Sequence, residues 1–302
     1  MNRKIKRSPL FYVGDKFKLI PEIKKYFPKK VDRLIEPFVG GGSVFLNTDA
    51  KEYLLNDVDK YICLLHSFLI KNSTNEQELL ENIYQIAKNY NISRSYWENV
   101  VPKKFKKTWV KTYYARYNKA GFIKLRKDFN RAREKDYLKL YMLLIYGFNR
   151  ILRFNSKGEF NLPVGNVDFN KNVANALKDY FLTVRGKDIN FFNQDYFDFL
   201  KSIKFKKGDF VYLDPPYLIS FSEYNKLWNL EKEKELLKLL DWLNSKKVRF
   251  AISNVIFHKN MHNDIFKLWM KKYKVYTINS NYISFHNNSK KEINEVLVTN
   301  YV

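Results

Sequence analysis

The chain has 302 residues, 45% of them hydrophobic and 17% aromatic, enough for one large domain or for a core carrying a sizeable insertion. Lysine and arginine number 55 against 31 acids, a formal charge of +24, so the expected partner is a polyanion, with nucleic acid favoured over an anionic membrane surface. No run of 18 apolar residues and no signal-like hydrophobic stretch argues for a membrane span or secretion, and the lone cysteine, Cys63, allows no intrachain disulfide, which suits a reducing cytosol.

In chain order, Leu34 to Phe38 reads as a strand ending at a turn. Glu36-Pro37-Phe38-Val39-Gly40-Gly41-Gly42-Ser43 follows, and its three glycines let the backbone pass close to a ligand, with Ser43 placed to cap a helix. It is neither the dinucleotide GxGxxG pattern nor a phosphate-binding P-loop, which lacks counterpart here because Gly-Lys-Ser/Thr is missing. It therefore suggests a nucleoside-like cofactor without a pyrophosphate, a flexible turn being the plainer reading. Tyr53 to Asp57 reads as a second strand, and an acid at Asp57 can bind ribose hydroxyls or simply shape a turn.

From Lys60 to Asn166 the pattern is mainly helical and rich in tyrosine and lysine, so this stretch reads as a module inserted into an α/β core. Cys63 lies in the apolar run Tyr61 to Leu65 and reads as a core residue. Lys103 to Lys119 interleaves cations with aromatics, and Lys107, Lys111 and Arg116 are candidate phosphate contacts against the alternative of a solvated helix face. Asn155-Ser156-Lys157-Gly158 is turn chemistry between two aromatic-containing runs, hence a predicted hairpin over Gly147 to Pro163.

Beyond Asn166 the alternation returns. Strands are predicted at Ile189–Phe192, Phe210–Leu213, Val248–Ile252, Lys274–Ile278 and Glu295–Thr299, with a helix over Glu231–Leu243 whose leucines keep core spacing. Asp214-Pro215-Pro216-Tyr217 closes the Phe210–Leu213 run, where an open α/β sheet places its ligand. Asp214 and the Pro215 carbonyl can accept two hydrogens from an exocyclic amine, the prolines stiffen the loop and remove competing donors, and Tyr217 offers a flat face to a ring. The plain alternative is a proline-rich turn.

Together these motifs resemble the Dam-type N6-adenine DNA methyltransferases (D12 class, alpha group). The likeness runs through Phe11-Tyr12-Val13-Gly14-Asp15-Lys16, Glu36 to Asn47, Asn56-Asp57, Gly147 to Pro163 and Asp214 to Tyr217, nearly the whole chain. It implies an α/β fold with a Rossmann-like, S-adenosylmethionine-dependent methyltransferase sheet, a catalytic domain over 1–59 and 167–302, and an inserted, mainly helical target-recognition domain over 60–166 carrying the β-hairpin. On matching positions Tyr12 and Lys16 would bind the methionine end of S-adenosylmethionine. Glu36, Pro37, Phe38 and Gly40 would floor the pocket, Asp57 would hold the ribose, Asp195 would sit near the cofactor adenine, and Asp214 would border both cofactor and base. Asp214, Pro215, Pro216 and Tyr217 would form the catalytic element, with Tyr224 a second aromatic near a flipped base.

In the hairpin, Arg153 would contact guanine, Ile151 and Pro163 a thymine methyl, and Asn149 the gap left by the flipped adenine, with Asn155 also at the DNA. GATC-specific members carry a lysine where this chain has Phe11, which cannot donate a hydrogen bond, so the first base differs or another residue reads it. The expected partners are double-stranded DNA and a cognate restriction endonuclease, with no membrane. The expected form is a monomer or weak dimer in the cytoplasm of a bacterial or phage-infected cell, near the nucleoid. Amine methylation needs no metal and no covalent nucleophile, and the four histidines and one cysteine form no ligand cluster. The rival readings are a methyltransferase acting on RNA or on cytosine N4, and a DNA-binding protein without catalysis.

Overall fold

A computed structural model describes residues 4–132, 136–219, 228–278 and 293–301. The fold is mixed α/β with a mostly parallel central sheet. Eight strands occur among the described residues: β1 Arg33–Glu36, β2 Glu52–Asn56, β3 Asp188–Phe192, β4 Asp209–Leu213, β5 Arg249–His258, β6 Met261–His262, β7 Lys274–Ile278 and β8 Ile293–Thr299. Their order is β3-β2-β1-β4-β5-β8-β7, with β6 paired to β5. The pairs from β3 to β5 are parallel, whereas β8 is antiparallel to both β5 and β7. Order reverses between β1 and β4, the switch point where open sheets leave a crevice at their carboxyl ends.

Every residue of β1 and β4 is buried, which is why these central strands read as apolar runs rather than alternating ones. Arg33 and Asp209 face each other in register and form a buried two-point pair, Nε to Oδ1 at 3.0 Å and Nη2 to Oδ2 at 2.7 Å, that ties the amino ends of β1 and β4. Strand β5 runs six residues past the predicted end at Ile252. Its buried polar residues Ser253 and Asn254 look like a terminus in sequence, but their side chains meet Tyr212 Oη at 2.8 Å and Glu233 Oε1 at 3.0 Å. Paired this way, they can stay inside the sheet.

The chain divides into two compact units, the first comprising Met1–Phe17, Gly40–Leu46 and Asp59–Lys187, the second Lys18–Val39, Asn47–Val58 and Asp188–Val302. The second holds the sheet with the short helices α1 Ile20–Ile23, α8 Tyr196–Ser202 and α10 Asp264–Trp269 and the longer α9 Leu230–Ser245. Leu236, Leu239, Leu240 and Leu243 of α9 join Ile35, Val211, Leu213, Phe250 and Ile252 in one core, as their spacing predicts.

The first unit is helical: α2 Lys60–Lys71, α3 Glu76–Asn89, α4 Lys103–Thr108, α5 Tyr113–Arg131, α6 Tyr137–Tyr146 and α7 Lys171–Val184. Asp59, Asp136 and Asn170 cap α2, α6 and α7 with side-chain oxygens. Helix α6 is buried from Leu140 through Tyr146 and contacts α2, α3 and α5, so it forms the unit's centre. Cys63 is buried in α2.

The segment after α6 folds back on itself. Phe148 N donates to Pro163 O at 2.9 Å and Asn161 N to Arg153 O at 3.0 Å, around a turn in which the Asn155 side chain accepts from Lys157 N and Glu159 N. Strand-like pairing there is confined to isolated antiparallel bridges, Gly147 with Val164 and Phe154 with Phe160, rather than a continuous two-stranded ladder. Asn155 is therefore a turn-forming residue in this structure, its side chain spent on the loop.

Candidate active site

The sheet unit gathers one set of predicted residues along a single edge. Glu36 ends β1, Asp57 follows β2, Asp195 follows β3 and Asp214 follows β4, so four acids stand at or just beyond the carboxyl ends of four neighbouring parallel strands. Asn56, fully buried, ties three of these exits together. Its Nδ2 donates to Pro37 O and to Gln194 O, both at 3.0 Å, and its Oδ1 accepts from Gln194 N at 3.0 Å. The sequence pattern includes Asn56 in the Asn56-Asp57 pair but gives a role to Asp57 alone; an asparagine closing an apolar strand is the signal for a buried tie of this kind.

Pro37 O is thus held in place, and Phe38 packs its ring 5.1 Å from that of Tyr196 and 5.8 Å from that of Trp228. Trp228 Nε1 donates at 2.7 Å to Glu233, whose carboxylate also accepts from Asn254 and Asn263. Burial raises the Glu233 carboxyl above its ordinary range, and these three donors work against the rise. Asp195 caps α8, accepting from Phe197 N at 2.9 Å, and its other oxygen lies 3.5 Å from Lys232 Nζ. Its carboxylate thus serves its own helix.

At the end of β4, Pro215 is buried while Asp214, Pro216 and Tyr217 are half-buried. Tyr217 Oη donates to Asp214 Oδ1 at 2.9 Å and lies 3.3 Å from Glu295 Oε1 on β8. The tyrosine therefore fixes the rotation of the Asp214 carboxylate as well as offering a ring. Glu295, almost fully buried, is a neighbour that no sequence pattern indicated, because β8 is remote in the chain. Tyr224 lies outside the described residues.

The helical unit holds Tyr12, Lys16 and Gly40. Tyr12 and Lys16 are both buried. A side chain at Gly41 would bring its Cβ to 3.2 Å from Tyr12 Cβ and 3.4 Å from Asp15 Cβ, so the glycine backbone lies directly on the Tyr12–Asp15 segment. Gly42 has φ +78°, and a Cβ there would collide with the Phe45 ring, so glycine is required on both counts. Asp15 is half-buried, and desolvation raises its carboxyl, with the Arg7 charge opposing the rise.

His66 of α2 braces this loop. Its Nε2 lies 2.9 Å from Gly40 O and its Nδ1 3.1 Å from Tyr180 Oη. A carbonyl only accepts, so Nε2 carries the proton and Tyr180 donates to Nδ1. Complete burial pushes the imidazole down to about 4, and it is neutral. Sequence reading counted His66 among scattered histidines; nothing local marks it.

The predicted DNA contacts all lie in the helical unit. Asn149 is exposed with φ +53°, Ile151 is half-buried and Pro163 is exposed. Arg153 is half-buried and held by Asn161, Nε to Oδ1 at 2.9 Å and Nη2 to O at 3.0 Å. Lys107 and Lys111 are exposed, and the Arg116 guanidinium stacks 3.7 Å over the exposed Trp109 ring. Trp109 is exposed, while Phe105, Tyr113, Tyr114 and Tyr117 are half-buried, so the segment pairs surface cations with partly packed aromatics.

A mostly parallel sheet with acids aligned beyond its carboxyl edge, and a glycine loop following its first strand, define an α/β enzyme-type scaffold. The family model for D12 class N6 adenine-specific DNA methyltransferases matches residues 12–283, and the chain belongs to that family. It is similar to the Type II methyltransferase M.FokI of Planomicrobium okeanokoites, at 33% identity over 98% of this chain and 43% of that protein. It is 31% identical to the modification methylase StsI of Streptococcus sanguinis, over 99% of this chain and 43% of the relative. The DNA adenine methylase of Escherichia coli K12 is 27% identical, over 96% of this chain and 94% of its own length. The chain thus spans less than half the length of the two modification enzymes. Among the described residues no helix is long and apolar enough to cross a membrane.

Proposed function

We propose that the protein transfers a methyl group from S-adenosylmethionine to N6 of adenine in a short duplex DNA site, GATC or a related one. The observation that carries this reading is the Asp214-Pro215-Pro216-Tyr217 turn at the carboxyl end of central strand β4, beside the switch point, with its carboxylate oriented by Tyr217. The residues present fit the methyl donor. Glycine backbone lies close against the Tyr12–Asp15 segment, leaving no side chain in the way, and the edge acids suit a cationic, hydroxyl-bearing ligand. Tyr12, Lys16 and Gly40 would hold its methionine end, Glu36, Pro37 and Phe38 the pocket floor, Asp57 the ribose, and Asp195 the adenine side. When bound, it supplies an electrophilic methyl on a positively charged sulfur.

The chain's own residues then prepare the nucleophile. The N6 lone pair of adenine is delocalised into the ring. Asp214 and the Pro215 carbonyl accept hydrogen bonds from the two amino hydrogens and draw that pair onto nitrogen, and Asp214 holds the developing positive charge until one amino proton is released to solvent. Pro216 stiffens the turn. Tyr217 positions the carboxylate and stacks on a base rotated out of the helix.

Residues 60–166 serve as the target-recognition domain, reading duplex DNA through the folded-back segment at 147–163. Arg153, whose Nε and Nη2 are held by Asn161, meets guanine with its remaining Nη1 and Nη2 hydrogens, while Ile151 and Pro163 touch a thymine methyl and Asn149 fills the vacated stack. Relatives named as modification methylases make a restriction endonuclease of the same site the expected companion.

The test is incubation with S-adenosylmethionine and a plasmid, followed by mapping of modified bases. N6-methyladenine in one short motif supports the reading; cofactor binding with modification of RNA alone refutes the DNA assignment. Arg153→Ala is expected to weaken discrimination at one base pair by about 1–3 kcal/mol, and an unchanged sequence profile removes it from readout. Alanine at Lys107 and Lys111 is expected to lower the slope of log affinity against log salt by nearly one for each lost phosphate contact; an unaltered slope assigns them to solvent.

A further inference from the structure

Phe11, Asn149 and Arg150 are non-glycine residues in the left-handed region, at φ 48°, 53° and 51°. Such a backbone is costly for residues with a Cβ and persists where the surroundings enforce it. Two of the three meet in space. The Arg150 guanidinium lies 4.3 Å over the Phe11 ring, and the Arg7 guanidinium lies 4.4 Å over the same ring. Phe11 is buried, Arg150 half-buried and Arg7 exposed. Arg150 Nε is buried without a hydrogen-bond partner among the described residues. Burial, then the nearby Arg7 charge, push Arg150 below its ordinary range.

Two like charges on one aromatic ring, one of them with an unmet donor, is an arrangement that folding alone does not favour. It becomes favourable when acceptors of opposite charge arrive. The ring holds both guanidiniums against its faces or rim at these distances, which lowers the entropy lost on contact. Arg150 also directly follows the exposed Asn149 at the start of the folded-back segment.

We propose that Arg150, mounted on Phe11 beside Arg7, is a DNA-contacting residue that presents its guanidinium to a pair of hydrogen-bond acceptors. The O6 and N7 edge of guanine and two oxygens of a phosphate share that chemistry. The inference rests on the DNA methyltransferase reading above.

The test compares the parent protein with Arg150→Gly, which suits the left-handed backbone, and Arg150→Gln, which keeps the side chain's length without its charge. A library of plasmid sites gives the methylation profile, and duplex binding is measured across a salt series. Melting temperature and S-adenosylmethionine binding establish that each variant is folded. If Arg150 reads guanine, preference at one base pair falls roughly tenfold in both variants. If it holds a phosphate, binding weakens alike on all sequences and the salt slope drops by about one. Folded variants with the parent's profile and the parent's slope overturn the contact alone. A parent protein that neither methylates nor binds DNA overturns the contact together with the reading on which it rests.

Discussion

Asp214→Ala is expected to cut methyl transfer by about 100- to 1000-fold or more, the range seen when one preorganised electrostatic group is lost from an active site. Two effects act together. The substitution removes the acceptor that localises the adenine lone pair, and it removes the negative charge that would stabilise the positive nitrogen as it forms. Asp214 precedes two prolines that restrict the turn, so alanine should leave the backbone in place even though it removes the acceptor of the Tyr217 Oη bond. Calorimetry with S-adenosylmethionine should therefore still detect binding. Tyr217→Phe should cost less than Asp214→Ala, because it frees the carboxylate to rotate but keeps the ring and the charge. Near-parental turnover by a folded Asp214→Ala protein would falsify the role.

The second large effect is a pH dependence carried by His66. Its ordinary value is near 6.5 and burial takes it down to about 4 in the folded chain. A depressed folded value means that the unfolded state binds the proton first. The contribution of His66 is therefore whole above pH 6.5, falls as pH drops, and is gone by about pH 4. At 1.36 kcal/mol per pH unit, the loss sums to about 3 kcal/mol. Asp15 and Glu233 are raised by burial, so their contributions change in the opposite sense as pH falls. The useful measurement is thus the difference between the parent and His66→Phe, whose ring suits the neighbouring Phe45 and Tyr180. Denaturant unfolding from pH 7 to pH 4.5 should show the gap between the two narrowing; a constant gap would show that His66 does not titrate in this way. Because His66 holds the Gly40 carbonyl, the variant should also bind S-adenosylmethionine more weakly at pH 7.5, by roughly tenfold for one lost buried hydrogen bond.

The sheet was legible because its strands carry strong local signals. β4 and β7 are apolar or β-branched runs bounded by turn residues, and the structure ends β4 at Leu213 and spans β7 from Lys274 to Ile278, as the sequence pattern predicts. β5 was read short because Ser253 and Asn254 are polar, and only distant partners make them tolerable inside a sheet. The folded-back segment was read as a ribbon from its turn residues. Its pairing stays at two bridges, and side chains take backbone partners beside them: Arg153 Nη2 donates to Asn161 O and the Asn155 side-chain oxygen accepts from Glu159 N.

For the candidate site the division follows from separation along the chain. Motifs of contiguous residues, such as Glu36 to Ser43 and Asp214 to Tyr217, announce themselves because their chemistry is written within a few positions. By themselves they determined the family, the edge of the sheet to examine and the acids on it. Only the tertiary structure decided which groups hold those motifs in place. Asn56 locks Pro37 and Gln194, His66 carries the Gly40 carbonyl, Glu295 meets Tyr217, and Arg7 and Arg150 share the Phe11 ring. Apart from the local Arg7–Phe11 contact, each such partner satisfies or opposes a charge or hydrogen bond across tens to hundreds of residues. A local pattern carries no signal of a contact that exists only once the chain has closed on itself.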